Sequence, residues 1–278
     1  MPAGTSSGRG RSSMLILFIL AALTYAASSL AYAVERGASS ERARWWARLL
    51  LAFAGLLHFA WIGAQSAGGE HPFGSVARVI SFGAVITVGL FFAVARGRSL
   101  AGLGAIIAPL GLIGLVIGVG LDVAGVVPRM PASAGLTRLH IGLATAGLAG
   151  FILAAGVAAV YLAMERRLRT RRFKPSPGGG GASLSGLDRL HHRVMMVVTP
   201  IFTLAIVTGV LWIVQAGGVG TLRARWFELA IGGVAWLASV AVLGLRAALG
   251  FRGRRAAVLT LVAFVCTLAI LAYYGVRQ

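Results

Sequence analysis

The chain has 278 residues, of which 58% are hydrophobic and only 12% charged, and its mean hydropathy is +0.87. A soluble domain carries roughly 25% charged residues, so this composition excludes a water-soluble globule and makes the bilayer the solvent. The formal net charge of +19 sits in short loops between apolar runs, with no aromatic-interleaved basic face, which argues against nucleic acid and assigns the charge to topology and anionic headgroups.

Residues 1–13 are polar and rich in Gly and Ser, and read as a disordered tail ahead of a single transmembrane domain, 14–278. The first apolar run is 14–34. Arg9 and Arg11 precede it, and Ala31-Tyr32-Ala33 resembles a cleavage site. The run is longer than a usual signal-peptide core, and the reading taken is a retained first span. Further apolar runs lie at 45–65, 76–95, 100–127, 139–163, 194–216, 227–246 and 256–275. Each is long enough to cross roughly 30 Å of hydrocarbon at about 1.5 Å per residue. The expected fold is all-α, a polytopic membrane bundle of about 8 helices. The fourth run is over-long and carries Pro109 and several glycines, which predicts a tilt, a kink or an interfacial end.

The loops near 36–48, 96–98, 164–193 and 246–255 hold about 18 of the 26 Lys and Arg residues. Positive loops stay inside, which predicts both termini outside and, for a bacterial chain, residence in the inner membrane. The one long loop, 164–191, runs through Arg166, Arg167, Arg169, Arg171, Arg172 and Lys174 into Pro175-Ser176-Pro177 and four glycines. It reads as a flexible cytoplasmic linker between five helices and three. Cys266 is the only cysteine, so no intramolecular disulfide or thiol redox pair exists.

No carboxylate falls at a mid-membrane position, which weakens an ion-coupled transporter. No phosphate-binding Gly-x-x-x-x-Gly-Lys-Ser/Thr loop occurs. The histidines say more. His191 and His192 stand at the inner end of the sixth run, and His71 lies in an outer loop. His58 lies in the second run, roughly 10 Å below the outer surface by helical rise. His140 begins the fifth run at the same side. An imidazole in hydrocarbon needs a partner. An interhelical hydrogen bond to Ser, Thr or a carbonyl meets that need, and so does axial ligation of haem iron. Spacing alone favours the hydrogen bond and leaves both open. Trp61, three residues after His58, shares its helical face. Arg138, Arg129, Arg78, Arg223 and Arg225 are candidate partners for haem propionates.

Leu139-His140-Ile141-Gly142-Leu143, then the helix ending Tyr161-Leu162-Ala163-Met164-Glu165-Arg166-Arg167, resembles the cytochrome c assembly family, which includes CcsA, ResC and HemX-like proteins. Leu187-Asp188-Arg189-Leu190, leading into Thr203 through Trp212, is similar to the same family. Gly250-Phe251-Arg252-Gly253-Arg254-Arg255, followed by Leu271-Ala272-Tyr273-Tyr274-Gly275, looks like the end of the HemX-like branch. The resemblance covers most of the chain from about residue 45. It implies that His58 and His140 ligate haem b near the outer leaflet, with Trp61 and Arg138 beside it. It also implies a role in holding or handing over haem, with other assembly proteins or a haem-synthesis enzyme as partners. The full haem-handling members carry a tryptophan-rich outer segment with a Trp-Asp-Pro-like core before the seventh helix, and a further histidine near the C-terminus. Here Gly217 to Trp226 holds one tryptophan and no aspartate, and no such histidine follows. The resemblance therefore stops short of a haem lyase and of enzyme activity. Two other classes stay in view. One is a membrane scaffold or regulator of haem synthesis that uses the basic loop to bind a cytoplasmic protein. The other is a small-solute transporter, which requires a polar midplane cavity.

Overall fold

The structure, a computed structural model, describes residues 6–38, 40–94, 101–123, 135–170 and 183–277. The elements there are α1 (Ser6–Ala38), α2 (Glu41–Ala67), α3 (Val76–Val94), α4 (Ala101–Val123), α5 (Gly135–Arg169), α6 (Leu184–Ala224), α7 (Trp226–Leu249) and α8 (Arg254–Arg277). Helices α1 to α7 each contain a stretch long and apolar enough to cross a membrane. The sequence of α8 has no charged residue between Arg255 and Arg277. In hydrocarbon every backbone amide needs an internal partner, and helices supply one within each segment. Side-chain hydroxyls follow the same rule. Thr24, Thr87, Thr145, Thr203 and Thr267 each donate to the carbonyl four residues back, at 2.6–2.8 Å. Leu23, Leu30, Leu56 and Phe59 stand more than half exposed, an apolar surface suited to lipid rather than water. The chain is a multi-span helical membrane protein.

Three helix ends differ from the sequence reading. Helix α1 begins at Ser6, within the stretch that the sequence reads as a polar tail. Extending an existing helix gains a backbone hydrogen bond per residue without a new nucleus. Residues 1–5 lie outside the described residues. The loop expected over 164–191 shortens at both ends, because α5 runs to Arg169 and α6 starts at Leu184. Met, Glu, Arg and Leu are strong helix formers, and Ser183 caps α6 by accepting from the Gly186 amide at 3.0 Å. Residues 171–182, with the Pro and Gly run, lie outside the described residues. Last, α6 continues to Ala224 and is followed by a one-residue turn at Arg225. The segment before α7 is thus helical.

The described residues form two compact units. The first contains α1, α2, α3 and α4 from Gly104 onward. Helices α1 and α2 pack closely; Ser28 donates to the Ala47 carbonyl at 2.9 Å, and Arg44 pairs with Glu35 at 3.3 Å. The glycines of α4 act as notches. A side chain on Gly104 would meet the ring of Tyr32, and one on Gly111 would meet Tyr25. Both tyrosines are fully buried. Small residues let membrane helices approach, and this approach is filled by two rings. Gly111→Val is expected to destabilise the protein by about 1–3 kcal/mol through overpacking. Thermal unfolding in detergent measures it; an unchanged midpoint would show that the notch is not a tight contact.

The second unit contains α5 to α8. Helices α5 and α6, which flank the long connection, pack on each other, and α8 packs on both α5 and α7. The ends of three helices are tied together by Asp188. Its carboxylate accepts two bonds from Arg246, at 3.1 and 2.8 Å, and one from the Gly253 amide at 3.0 Å. Gly253 and Gly250 both have positive φ, 68° and 63°, a conformation that Gly adopts without a Cβ clash. The α7–α8 connection depends on them.

Candidate functional site

His58 and His140 fall in different units, and their surroundings differ. His58, on α2, is fully buried. Its Nε2 lies 2.8 Å from Ser81 Oγ on α3, and its Nδ1 lies 3.4 Å from the Tyr25 hydroxyl on α1. The Tyr25 ring meets the imidazole edge-on at 5.9 Å. Trp61 is also buried. It packs against His58 at 6.0 Å and Phe18 at 6.2 Å, so the shared face expected from the sequence is present. Both ring nitrogens of His58 therefore have side-chain partners from neighbouring helices. This is the interhelical hydrogen-bond arrangement, and it leaves no lone pair free for iron while the Tyr25 and Ser81 bonds hold. His58→Leu is expected to cost about 1–3 kcal/mol, because two buried hydroxyls lose their partner. Thermal melts of the variant check it, and a stability gain would reject the role.

His140 stands in the second turn of α5, against one face of α6. Ala205, Thr208, Gly209 and Trp212 line that face at helical spacing. His140 Nδ1 lies 3.0 Å from the Ala205 carbonyl oxygen and 3.5 Å from Thr208 Oγ1. A carbonyl only accepts, so Nδ1 carries the proton, and in the neutral ring Nε2 keeps its lone pair. The Thr208 hydroxyl donates to the Leu204 and Ala205 carbonyls at 2.7 and 3.0 Å. Gly209 makes the room: a Cβ there would stand 2.8 Å from His140 Cε1. The imidazole and the Trp212 ring are nearly parallel, 6° apart, with centroids at 6.3 Å. The Arg225 guanidinium lies over Trp212 at 5.3 Å from its centroid. Both the Arg225 guanidinium and the His140 imidazole thus stand against the Trp212 ring. Arg225 comes thirteen positions after Trp212.

The remaining sequence candidates spread out. Arg138 and Arg223 are exposed, Arg138 on the α5 turn that carries His140. Arg129 lies outside the described residues. His71 is exposed and accepts from the Phe73 amide at 3.1 Å, closing its own turn, near the Arg78–Glu70 ion pair. His191 is buried and bonds through Nε2 to Thr260 Oγ1 at 2.8 Å, joining α6 to α8. Among the described residues, no three His, Cys, Asp or Glu gather into a metal-binding set. Sequence reasoning did not single out Trp212 as a neighbour of His140. The only available signal was its place seven residues after Ala205 on one helical face.

A family model described as "Cytochrome C assembly protein" matches residues 44–278. The chain belongs to the cytochrome c assembly family. It therefore has a role in cytochrome c biogenesis, and its family is associated with haem handling. No curated protein and no solved structure matches it. The matched region contains both histidines and all of the second unit.

Proposed function

We propose that this member of the cytochrome c assembly family holds or hands over haem b at the outer leaflet of a bacterial inner membrane, with His140 as the axial ligand. The observation that carries the reading is the anchoring of His140 Nδ1 to the Ala205 carbonyl at 3.0 Å. Metal-binding histidines commonly donate their second nitrogen in this way, which fixes the tautomer and orients the lone pair. When bound, haem would supply the redox chemistry. The residues of this chain orient and retain it. Trp212 offers an aromatic plane beside the ligand, and Arg225, with Arg138, offers cationic partners for propionates. His58 can serve as the second ligand only by giving up the bond to Ser81 or to Tyr25. With Trp61 packed beside it, it supports the bundle as it stands. The absorption spectrum of the purified protein, reduced minus oxidised, after haem supplementation tests the reading. Absence of any haem band rejects it.

A second reading makes the chain a scaffold for a cytoplasmic partner, such as a haem-synthesis enzyme or another assembly protein. It draws on the exposed Arg166 and Arg167 at the end of α5. Under it, deleting 171–182 and neutralising both arginines abolishes partner co-purification and leaves any haem spectrum unchanged.

A further inference from the structure

The second unit has a cleft of about 570 Å³ where α5 and α7 end and α8 begins. Four arginines line it: Arg169, Arg252, Arg254 and Arg255. Its volume is that of a molecule-sized site. The nearby acidic groups are already engaged. Glu165 bonds Arg169 at 2.9 Å, and Asp188 is held by Arg246 and the Gly253 amide. Among the described residues, Arg252, Arg254 and Arg255 pair with no carboxylate. Among the described residues, the cleft therefore carries more guanidinium groups than carboxylates that pair with them.

The rest of the lining is apolar. Leu249 is 73% exposed, and Phe251 lies under the Arg255 guanidinium at 5.9 Å from its centroid. Exposed leucine and half-buried phenylalanine directly beside guanidinium groups fit a ligand with an anionic head and an apolar tail. A soluble anion gains nothing from the leucine. The location agrees, because the cleft lies at helix ends, where hydrocarbon gives way to headgroups. Its walls are fixed in place by the Asp188 tie and by the positive-φ glycines Gly250 and Gly253.

The geometry points to a binding site for an anionic phospholipid in this cleft, the phosphate held by Arg252, Arg254 and Arg255 and the acyl chains lying on Leu249 and Phe251. Arginine suits this use because its planar fork meets two phosphate oxygens at once. The cleft lies at the opposite end of α5 from His140.

Native mass spectrometry of the full chain in neutral detergent tests it, with phosphatidylglycerol, cardiolipin, phosphatidylcholine or inorganic phosphate added. Phosphatidylglycerol and cardiolipin are expected to stay bound at activation energies that strip phosphatidylcholine. The double variant R252Q/R255Q is expected to lose roughly 10- to 30-fold in anionic-lipid affinity. The control R166Q/R167Q removes the same charge outside the cleft and is expected to bind like the wild type. Three outcomes overturn the proposal. Equal retention of phosphatidylcholine shows no headgroup selection. Full displacement by inorganic phosphate shows a free-anion site. Equal loss in the control shows diffuse surface charge. The lipid comparison on the unaltered protein holds even where a variant fails to fold.

Discussion

Haem supplementation is expected to give the unaltered protein a haem absorption spectrum, and protein carrying His140→Ala is expected to lose it. The substitution removes the imidazole whose Nδ1 proton is fixed by the Ala205 carbonyl. Loss of bound haem alone does not separate ligation from misfolding, so a second variant is needed. Gly209→Val keeps the histidine but places a side chain where His140 Cε1 now lies, 2.8 Å from the new Cβ. The ring is pushed off the Ala205 carbonyl. Disturbing such an orienting contact commonly weakens metal binding roughly 10- to 100-fold. The expected order of haem retention is therefore wild type, then Gly209→Val, then His140→Ala, with melting temperature tracked in parallel. His58→Leu divides the remaining possibilities. A retained spectrum places His58 in the bundle, whereas a low-spin spectrum that turns high-spin with the melting temperature little changed makes it the second ligand. A full low-spin spectrum in the His58→Ala, His140→Ala double variant would reject both.

The second large effect concerns stability. Asp188→Ala is expected to destabilise the second unit by about 3–5 kcal/mol. The two side chains of the pair are only 11% and 15% exposed. The variant leaves the Arg246 guanidinium largely desolvated without its carboxylate, and the Gly253 amide without an acceptor. Adding Arg246→Met is expected to restore much of the loss, because replacing both charges is far less costly than orphaning one. A double-mutant cycle on thermal unfolding in detergent measures the coupling. Simple additivity of the two single variants would show that the pair is not a structural tie.

The spans were legible because the bilayer imposes a length. A run of about 20 apolar residues has few alternatives to a crossing helix. Helix ends were harder. Polar residues such as Ser12, Arg166 and Arg223 continue a helix once it exists, so the drop in hydropathy marks the edge of hydrocarbon and not the end of the helix. His140 was legible too, since an imidazole in an apolar run stands out. Its companions were not. Ala205 contributes a backbone carbonyl, which has no sequence signature, and Trp212 is 72 positions away. Proximity in sequence pointed instead to Trp61, which packs beside His58. The Asp188 tie escaped for the same reason: its partners Arg246 and Gly253 lie 58 and 65 positions away, and each reads as an ordinary loop residue by itself.

The Arg225 guanidinium over Trp212 has a consequence for how a ligand arrives. Arg225 stands over Trp212 at 5.3 Å, so the start of α7 stays beside the ring on which His140 stacks. Trp226, 66% exposed, is the kind of residue that settles at headgroup depth. The roof over Trp212 then belongs to the interface itself. A flat amphiphilic molecule dissolved in the leaflet would approach His140 sideways, from the lipid. Its delivery would follow its partition into the bilayer more closely than its concentration in the surrounding water.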